Sequence, residues 1–286
     1  MQRVSSWLFA GVIAGLLGGC GPVDDGPLTA AQIVERNVEA RGGLKAWQDV
    51  HSMVWVGHIL SHNAPSPRMP FVLEMKRPDK MRFELRAKEQ VSTRIFDGSR
   101  GWNLIPARGG VPKLRPYTKY ELRYARDAEG IGGPLVDYRT KGVTVALDGT
   151  DKVGGRKAYR LLVTLPSGTT RRMWIDASNF LTLKYERKSR NAFGMTGTLS
   201  VYYANYRNFH GVKLPTTIAS GTDKTSVRDE MQIDRVVVNP ALPDWVFAKP
   251  MLPPQPPTVM VGNSAYPMAG RAPATPPKAP ASTRQR

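Results

Sequence analysis

The sequence predicts a mainly β protein of the α+β class: one curved antiparallel sheet or barrel of about eleven strands, preceded by two short helices. Between Ser52 and about Asn239, β-branched and aromatic residues alternate with polar ones, the period-two pattern of half-buried strands. Turn residues interrupt that alternation at hairpin spacing, which favours antiparallel neighbours over the long crossovers of an α/β fold. Helical spacing is confined to the stretch before Ser52 and to short pieces between Tyr117 and Lys141.

The chain begins with a short segment bearing one positive charge, Arg3, followed by the uncharged run Trp7 to Leu17 and then Gly18-Gly19-Cys20. About eleven apolar residues fall short of the ~20 that a spanning helix needs, so residues 1–19 read as a secretory signal. The small pair followed at once by Cys resembles a bacterial lipobox. That resemblance implies cleavage before Cys20 and acylation of its thiol and new amino terminus, with each buried CH₂ of the anchor contributing about 0.8 kcal/mol. Gly21 and Pro22 follow in place of the Asp of an inner-membrane retention signal, which favours the outer membrane facing the periplasm. Cys20 is the only cysteine of the 286 residues, so no internal disulfide supports folding outside the cytoplasm.

Residues 20–28 read as a lipidated tether. Thr29-Ala30-Ala31-Gln32 has the spacing of a capping box, and Ala30, Ile33, Val34 and Val38 share a helical face that Gly42-Gly43 terminates. Leu44 and Trp47 mark a second short helix. Phe71–Lys76 and Met81–Arg86 alternate on either side of Arg77-Pro78-Asp79-Lys80 and form a hairpin, as do Val91–Phe96 and Gly101–Ile105 around Asp97-Gly98-Ser99-Arg100. Tyr120–Ala125 and Leu135–Tyr138 are expected as helical pieces around a glycine-rich Gly130–Gly133. Strands resume at Val143–Leu147, Lys157–Leu165, Thr169–Ile175, Leu181–Arg187, Gly197–Phe209, Val212–Ser220 and Ser226–Val238, with turns at Ser167-Gly168, Ala177-Ser178-Asn179 and His210-Gly211.

The folded body is thus expected over residues 29–247. Residues 248–286 hold ten prolines, five basic residues and no acid, a composition that cannot build a core and predicts a disordered basic tail. The formal net charge of +18 would suggest nucleic acid as a partner, but an exported chain meets other anions, namely lipid head groups, lipopolysaccharide and acidic envelope polymers.

Four stretches occur in order: Ala40–Trp47, Phe96–Trp102, Tyr206–Pro215 and Pro243–Phe247. Together they resemble the outer-membrane lipoprotein-sorting (LolA/LolB-like) superfamily. The resemblance implies an unclosed antiparallel β-barrel whose concave apolar face is covered by helices and receives acyl chains. A half-barrel needs large apolar side chains at alternate inner positions, and Phe71, Leu73, Met75, Met81, Phe83 and Leu85 supply them on one hairpin. Trp102, Leu104, Leu181, Leu183 and Tyr185 are the further candidates. Methionine suits a wall that must repack around variable chains.

Residues for bond-making chemistry do not assemble. His58 and His62 flank a strand end with no Glu between them, and His51 and His210 stand apart, so neither a metal nor a cofactor is expected. Ser99 and Ser167 sit in turns rather than on a nucleophile elbow, Asp97 belongs to the turn it shares with Gly98, and Gly130–Gly133 lacks the Lys-Ser/Thr of a phosphate loop. The reading is a non-enzymatic, membrane-anchored envelope lipoprotein that holds acyl chains of lipoproteins or lipids in a half-barrel cavity, for transport or sorting. Its rival is an envelope scaffold or stress-sensing lipoprotein that binds a protein or anionic polymer and has a closed, fully packed interior.

Overall fold

The computed structural model describes residues 26–61, 64, 66–107, 111–128, 130–190, 196–222, 229–252, 258–261 and 264–267. Cys20 and His62 lie outside them, as does most of the basic tail. Two helices open the described chain, α1 (Ala30–Ala40) and α2 (Gly43–Gln48). Thr29 caps α1 as its spacing predicts: its hydroxyl accepts from the Gln32 N–H, and the Gln32 side chain accepts from the Thr29 N–H at 2.8 Å.

Six strands follow, β1 (Ser52–Leu60), β2 (Arg68–Lys76), β3 (Lys80–Ala87), β4 (Gln90–Phe96), β5 (Gly101–Ile105) and β6 (Lys113–Pro116). Helix α3 (Lys119–Arg126) and a run of turns over 131–142 come next. Seven more strands complete the body: β7 (Thr144–Val153), β8 (Arg156–Thr164), β9 (Thr170–Asp176), β10 (Thr182–Arg190), β11 (Thr196–Phe209), β12 (Val212–Thr222) and β13 (Asp229–Val238), with a 3₁₀ turn at Asp244–Phe247. The thirteen strands form one antiparallel sheet in the order β6-β5-β4-β3-β2-β1-β13-β12-β11-β10-β9-β8-β7. Every neighbour is sequential except β1 and β13, so the sheet is two meanders joined by the pairing of its first and last strands. Strands β6 and β7 remain as the two edges, and the barrel is unclosed.

Two of these strands were not among the eleven expected. In β1, Met53-Val54-Trp55-Val56 is a continuous apolar run rather than an alternation, and opposite Val56 and Gly57 the register of β13 skips Asp234, with a Cβ on Gly57 lying 2.0 Å from the Gln232 carbonyl oxygen. In β6, Lys113-Leu114-Arg115-Pro116 is too short and too basic to read as a strand, but such a sequence is tolerated at a sheet edge. Leu135–Tyr138, expected to be helical, forms turns instead, because positive φ at Gly132, Gly133 and Asp137 breaks any helical repeat. Within the tail expected to be disordered, β14 (Thr258–Val261) and β15 (Ser264–Pro267) pair as a two-stranded antiparallel ladder.

The main core lies between the concave face of the sheet and the segments that cross it. Ile33, Val34 and Val38 of α1, Trp47 of α2, and Ile131, Leu135 and Val136 of the turns pack against Met53, Phe71, Met75, Leu161, Met173, Ile175 and Ile233 of the sheet. Trp47 is fully buried, its indole N–H donates to the Arg41 carbonyl at 3.0 Å, and the Arg41 guanidinium lies 4.6 Å from the ring centroid. Fully buried Asn37 fastens α1 to the β9–β10 turn by donating to the Phe180 carbonyl at 2.6 Å. Smaller clusters occupy the convex face, one of Ile95, Trp102, Val246 and Phe247 and one of Ala158, Trp174 and Leu183.

The helix pair docks on the β11–β12 hairpin by close backbone approach. Lys213 donates its N–H to the Arg41 carbonyl at 2.8 Å, and Gly42 has φ +113° with the Gly211 carbonyl oxygen 2.0 Å from where its Cβ would stand. Gly42→Ala is therefore expected to destabilise the fold by at least ~2 kcal/mol, through both left-handed strain and separation of α2 from the hairpin. Gly154→Ala also has positive φ but open space around it and should cost only about 1 kcal/mol; equal losses in urea unfolding would refute the steric account.

Helix α3 is held at the β5–β6 edge by Glu121. This carboxylate accepts from Arg115 at 2.7 and 2.8 Å, from Asn103 Nδ2 at 2.9 Å and from the Thr118 N–H at 2.8 Å. The Arg115 hydrogen bonds lead in bringing its pKa from the ordinary 4.5 down to about 2. Because the folded value lies below the unfolded one, the contribution is complete above pH 4.5 and is lost as pH falls through about 2. Glu121→Gln should lower stability by about 1 kcal/mol at pH 7, since the pair is partly solvated. The deficit, followed by thermal melts, should narrow as the pH is lowered from 4.5 towards 2.

Candidate functional site

The concave face and the segment that crosses it enclose an apolar cavity of about 350 Å³, within the roughly 300–1,000 Å³ range of small-molecule sites. Its floor is set by strand register. Met53 pairs with Met75 and Trp55 with Leu73 across β1 and β2, and on the other half Tyr185 pairs with Val201 and Tyr203 with Ile218. These side chains share one face because residues directly opposite in a ladder point the same way. Met173 and Met231 join them, so four methionines contribute to the wall.

The roof is α3 and the turns after it. Tyr124 reaches down from α3, and Ile131, Pro134 and Leu135 close the space above the sheet, with Arg41 and Trp47 at one side. Opposite ends of α3 are tied to opposite sides of the opening. The N-terminal end is held by the Glu121–Arg115–Asn103 cluster on β5 and β6. Near the C-terminal end Arg187 of β10 donates to the Tyr124 hydroxyl at 3.1 Å with its guanidinium 4.4 Å from the ring centroid, and Asp127 accepts from the Thr169 hydroxyl at 2.7 Å. The helix thereby spans the mouth that β6 and β7 leave open. Arg171, only 4 % exposed, projects between roof and floor, donates to the Asp127 carbonyl and stands 5.8 Å from the Tyr185 ring centroid.

Of the residues singled out from the sequence, Leu73, Met75 and Tyr185 line this cavity. Phe71, Met81, Phe83 and Leu85 belong to the same core without forming the cavity wall; the Phe71 and Phe83 rings meet at 5.9 Å. Four placements are corrected. Trp102 pairs with Ile95 and packs against Val246 and Phe247 on the convex face, and Leu104, two residues on, shares that side of β5. Alternation could not reveal this, because the 3₁₀ turn covers the convex face of β5 and makes outward positions as apolar as inward ones. Leu183 faces outward with Trp174 because a register shift between Thr182 and Lys184 inverts the side-chain phase within β10. Leu181 precedes β10 and is not part of the wall; its carbonyl accepts from the Asp176 N–H. Met53, Trp55, Val201, Tyr203, Ile218 and Met231 were missed; the strands of the last four were legible, but β1 was not, and neither was the face that each strand presents.

The residues screened for chemistry occupy structural positions. Asp97 accepts from the Ser99 N–H and hydroxyl and from the Arg100 N–H; burial would raise its pKa, and these donors outweigh that and lower it. The Ser167 hydroxyl donates to Thr169 in a turn. His58 is buried on the convex side of β1, with Nδ1 3.1 Å from both Asp234 Oδ2 and Arg68 Nη2. His51 is exposed and His210 occupies the β11–β12 turn. Among the described residues no three His, Cys, Asp or Glu side chains group as a metal site.

Comparison with known proteins places the fold. No family model matches, and no curated protein matches. Among solved structures, a LolA superfamily protein from Nitrosomonas europaea superposes with a TM-score of 0.50 at 17% identity, over 78% of this chain and 99% of its own. An outer membrane lipoprotein-sorting protein domain from Vibrio parahaemolyticus gives 0.51 at 13% identity, over 77% and 96%. A DUF1329 family protein from Desulfovibrio piger gives 0.50 at 12% identity, over 77% and 97%. The unclosed antiparallel sheet and its helical cover are thus the fold seen in these LolA superfamily and lipoprotein-sorting domain structures.

Proposed function

We propose that this chain is a lipid-anchored binding protein of the cell envelope, held at the outer membrane through acylated Cys20, which takes up acyl chains of a lipoprotein or a lipid in its concave cavity. The observation that carries the reading is the apolar cavity of about 350 Å³ between sheet and roof. Its wall makes mostly non-directional contacts, as a site that must both accept and release a hydrocarbon chain requires, and its methionines repack at small cost. The function is binding and transfer, with no bond made or broken. The scaffold reading calls for a closed, fully packed interior, and a cavity of this size argues against it.

The test is mass spectrometry of lipids and lipopeptides that co-purify with a periplasmically expressed Cys20→Ala chain. The expected result is a stoichiometric acyl ligand. Leu73→Trp, which fills the cavity, should reduce that ligand by at least about tenfold, whereas Leu104→Trp on the convex face should leave it unchanged. A chain that carries no ligand and takes up no added lipid, or one in which both variants behave alike, would remove the cavity from the mechanism.

A further inference from the structure

Helix α3 roofs the cavity with its inner side and leaves its outer side to solvent. Ala125 is buried and Glu121 turns to Arg115, whereas Lys119, Tyr120, Arg123, Tyr124 and Arg126 are exposed. At about 100° per residue, Arg126, Lys119 and Arg123 fall within an arc of roughly 60°, and Tyr120 and Tyr124 extend the same surface. The helix thus presents a row of cations beside two aromatic side chains that are 47 % and 40 % exposed. Tyr124 also lines the apolar cavity, so this surface borders its mouth.

The cations are not matched locally. Arg123 donates to the Ser167 carbonyl at 3.4 Å and the Thr169 hydroxyl at 3.3 Å, both neutral. Half-buried Arg187 donates to the Tyr124 hydroxyl and to the Lys188 carbonyl. Among the described residues no carboxylate forms an ion pair with Lys119, Arg123, Arg126 or Arg187. The acid on this face is the cap residue Asp127, whose carboxylate accepts from the Thr169 hydroxyl.

Cations flanking exposed aromatic rings suit a surface that rests on an anionic bilayer. Each Lys or Arg near such a surface is drawn to the lipid phosphates, and tyrosine sits at the boundary with its ring against acyl chains and its hydroxyl in water. Acylation at Cys20 supplies proximity. Nine residues separate Cys20 from Thr29, a tether of at most ~32 Å when extended, so the bilayer stays within reach and a contact too weak to hold a free protein suffices.

We infer that the outer face of α3 is a docking surface for an anionic phospholipid bilayer, so that the cavity mouth opens on the membrane and an acyl chain passes beneath Tyr124 without crossing water. The inference rests on the acyl-binding reading and adds the surface with which that site exchanges its ligand.

The experiment is vesicle flotation of the full chain carrying Cys20→Ala, which lacks the anchor, with phosphatidylcholine alone or mixed with phosphatidylglycerol. Affinity for the mixed vesicles should exceed that for the neutral ones at least about tenfold and should weaken with salt. Lys119→Gln, Arg123→Gln and Arg126→Gln together should lower it at least about tenfold. Lys152→Gln, Lys157→Gln and Arg235→Gln, which remove the same charge from exposed positions elsewhere, should change it less than about threefold. Position is read separately, because Cys20→Ala leaves no cysteine and Lys119→Cys or Lys157→Cys then gives a single site for an environment-sensitive fluorophore. The Lys119→Cys label should shift to the blue on mixed vesicles and the Lys157→Cys label should not, a readout that stands even if the triple α3 variant unfolds. Equal losses from the two triple variants, or labels that respond alike, identify bulk charge attraction and overturn the inference. Binding to polyglutamate but not to the vesicles identifies a surface for an acidic protein and also overturns it. A chain that carries acyl ligand yet does not float overturns this inference alone, whereas one that floats through α3 without carrying ligand supports the docking face and overturns the acyl-binding reading.

Discussion

The constraint on which the structure depends is that its sheet does not close. Strands β6 and β7 are consecutive in the chain yet form opposite edges of thirteen. The polypeptide between them must therefore cross the open side, and whatever sequence it carries becomes the roof. That connection holds α3, the glycine-rich turn and Ile131 to Val136, so topology alone delivers a cover to the concave face. An exposed edge invites pairing with other chains, and each is blunted: β6 is four residues long and basic, and β7 carries a bulge with charged Asp148, Asp151 and Lys152.

Closure of the concave face is a division of labour between apolar burial and directed polar contacts. Helices α1 and α2 supply a dry, close-packed end around Ile33, Val34 and Trp47, and are set by Gly42 against the Gly211 carbonyl. The α3 end is different. Its fastenings are hydrogen bonds and cation–π contacts near the surface, Glu121 with Arg115 on one side and Tyr124 with Arg187 on the other. Contacts of this kind contribute little each and break locally at small cost, whereas the α1–α2 end would have to lose its core to move. The cavity lies under the weaker end.

The basic excess of the chain acquires a location from the fold. Several cations are used structurally, as Arg41 is over Trp47 and as Lys76 and Lys80 are against Asp244 beside the 3₁₀ turn. Arg77 and Lys141 are oriented by carbonyls beside the roof turn, with the Asp79 carboxylate facing both.

The sequence by itself determined the class of the fold, most hairpins, the Thr29 capping interaction that α1 uses, and the turns at Asp97 and at Ala177–Asn179, because each depends on neighbours within a few residues. Phe71 to Leu85 were legible as a core hairpin for the same reason: period-two alternation is local. What the tertiary structure decided was which side of each strand faces the cavity. A single register shift before Lys184 inverted Leu183 relative to Tyr185, and the 3₁₀ turn at Asp244–Phe247, remote from β5 in the chain, made the outer face of β5 as apolar as the inner. Bulges and coverage by distant segments leave no local trace, because both are set by how the whole sheet pairs.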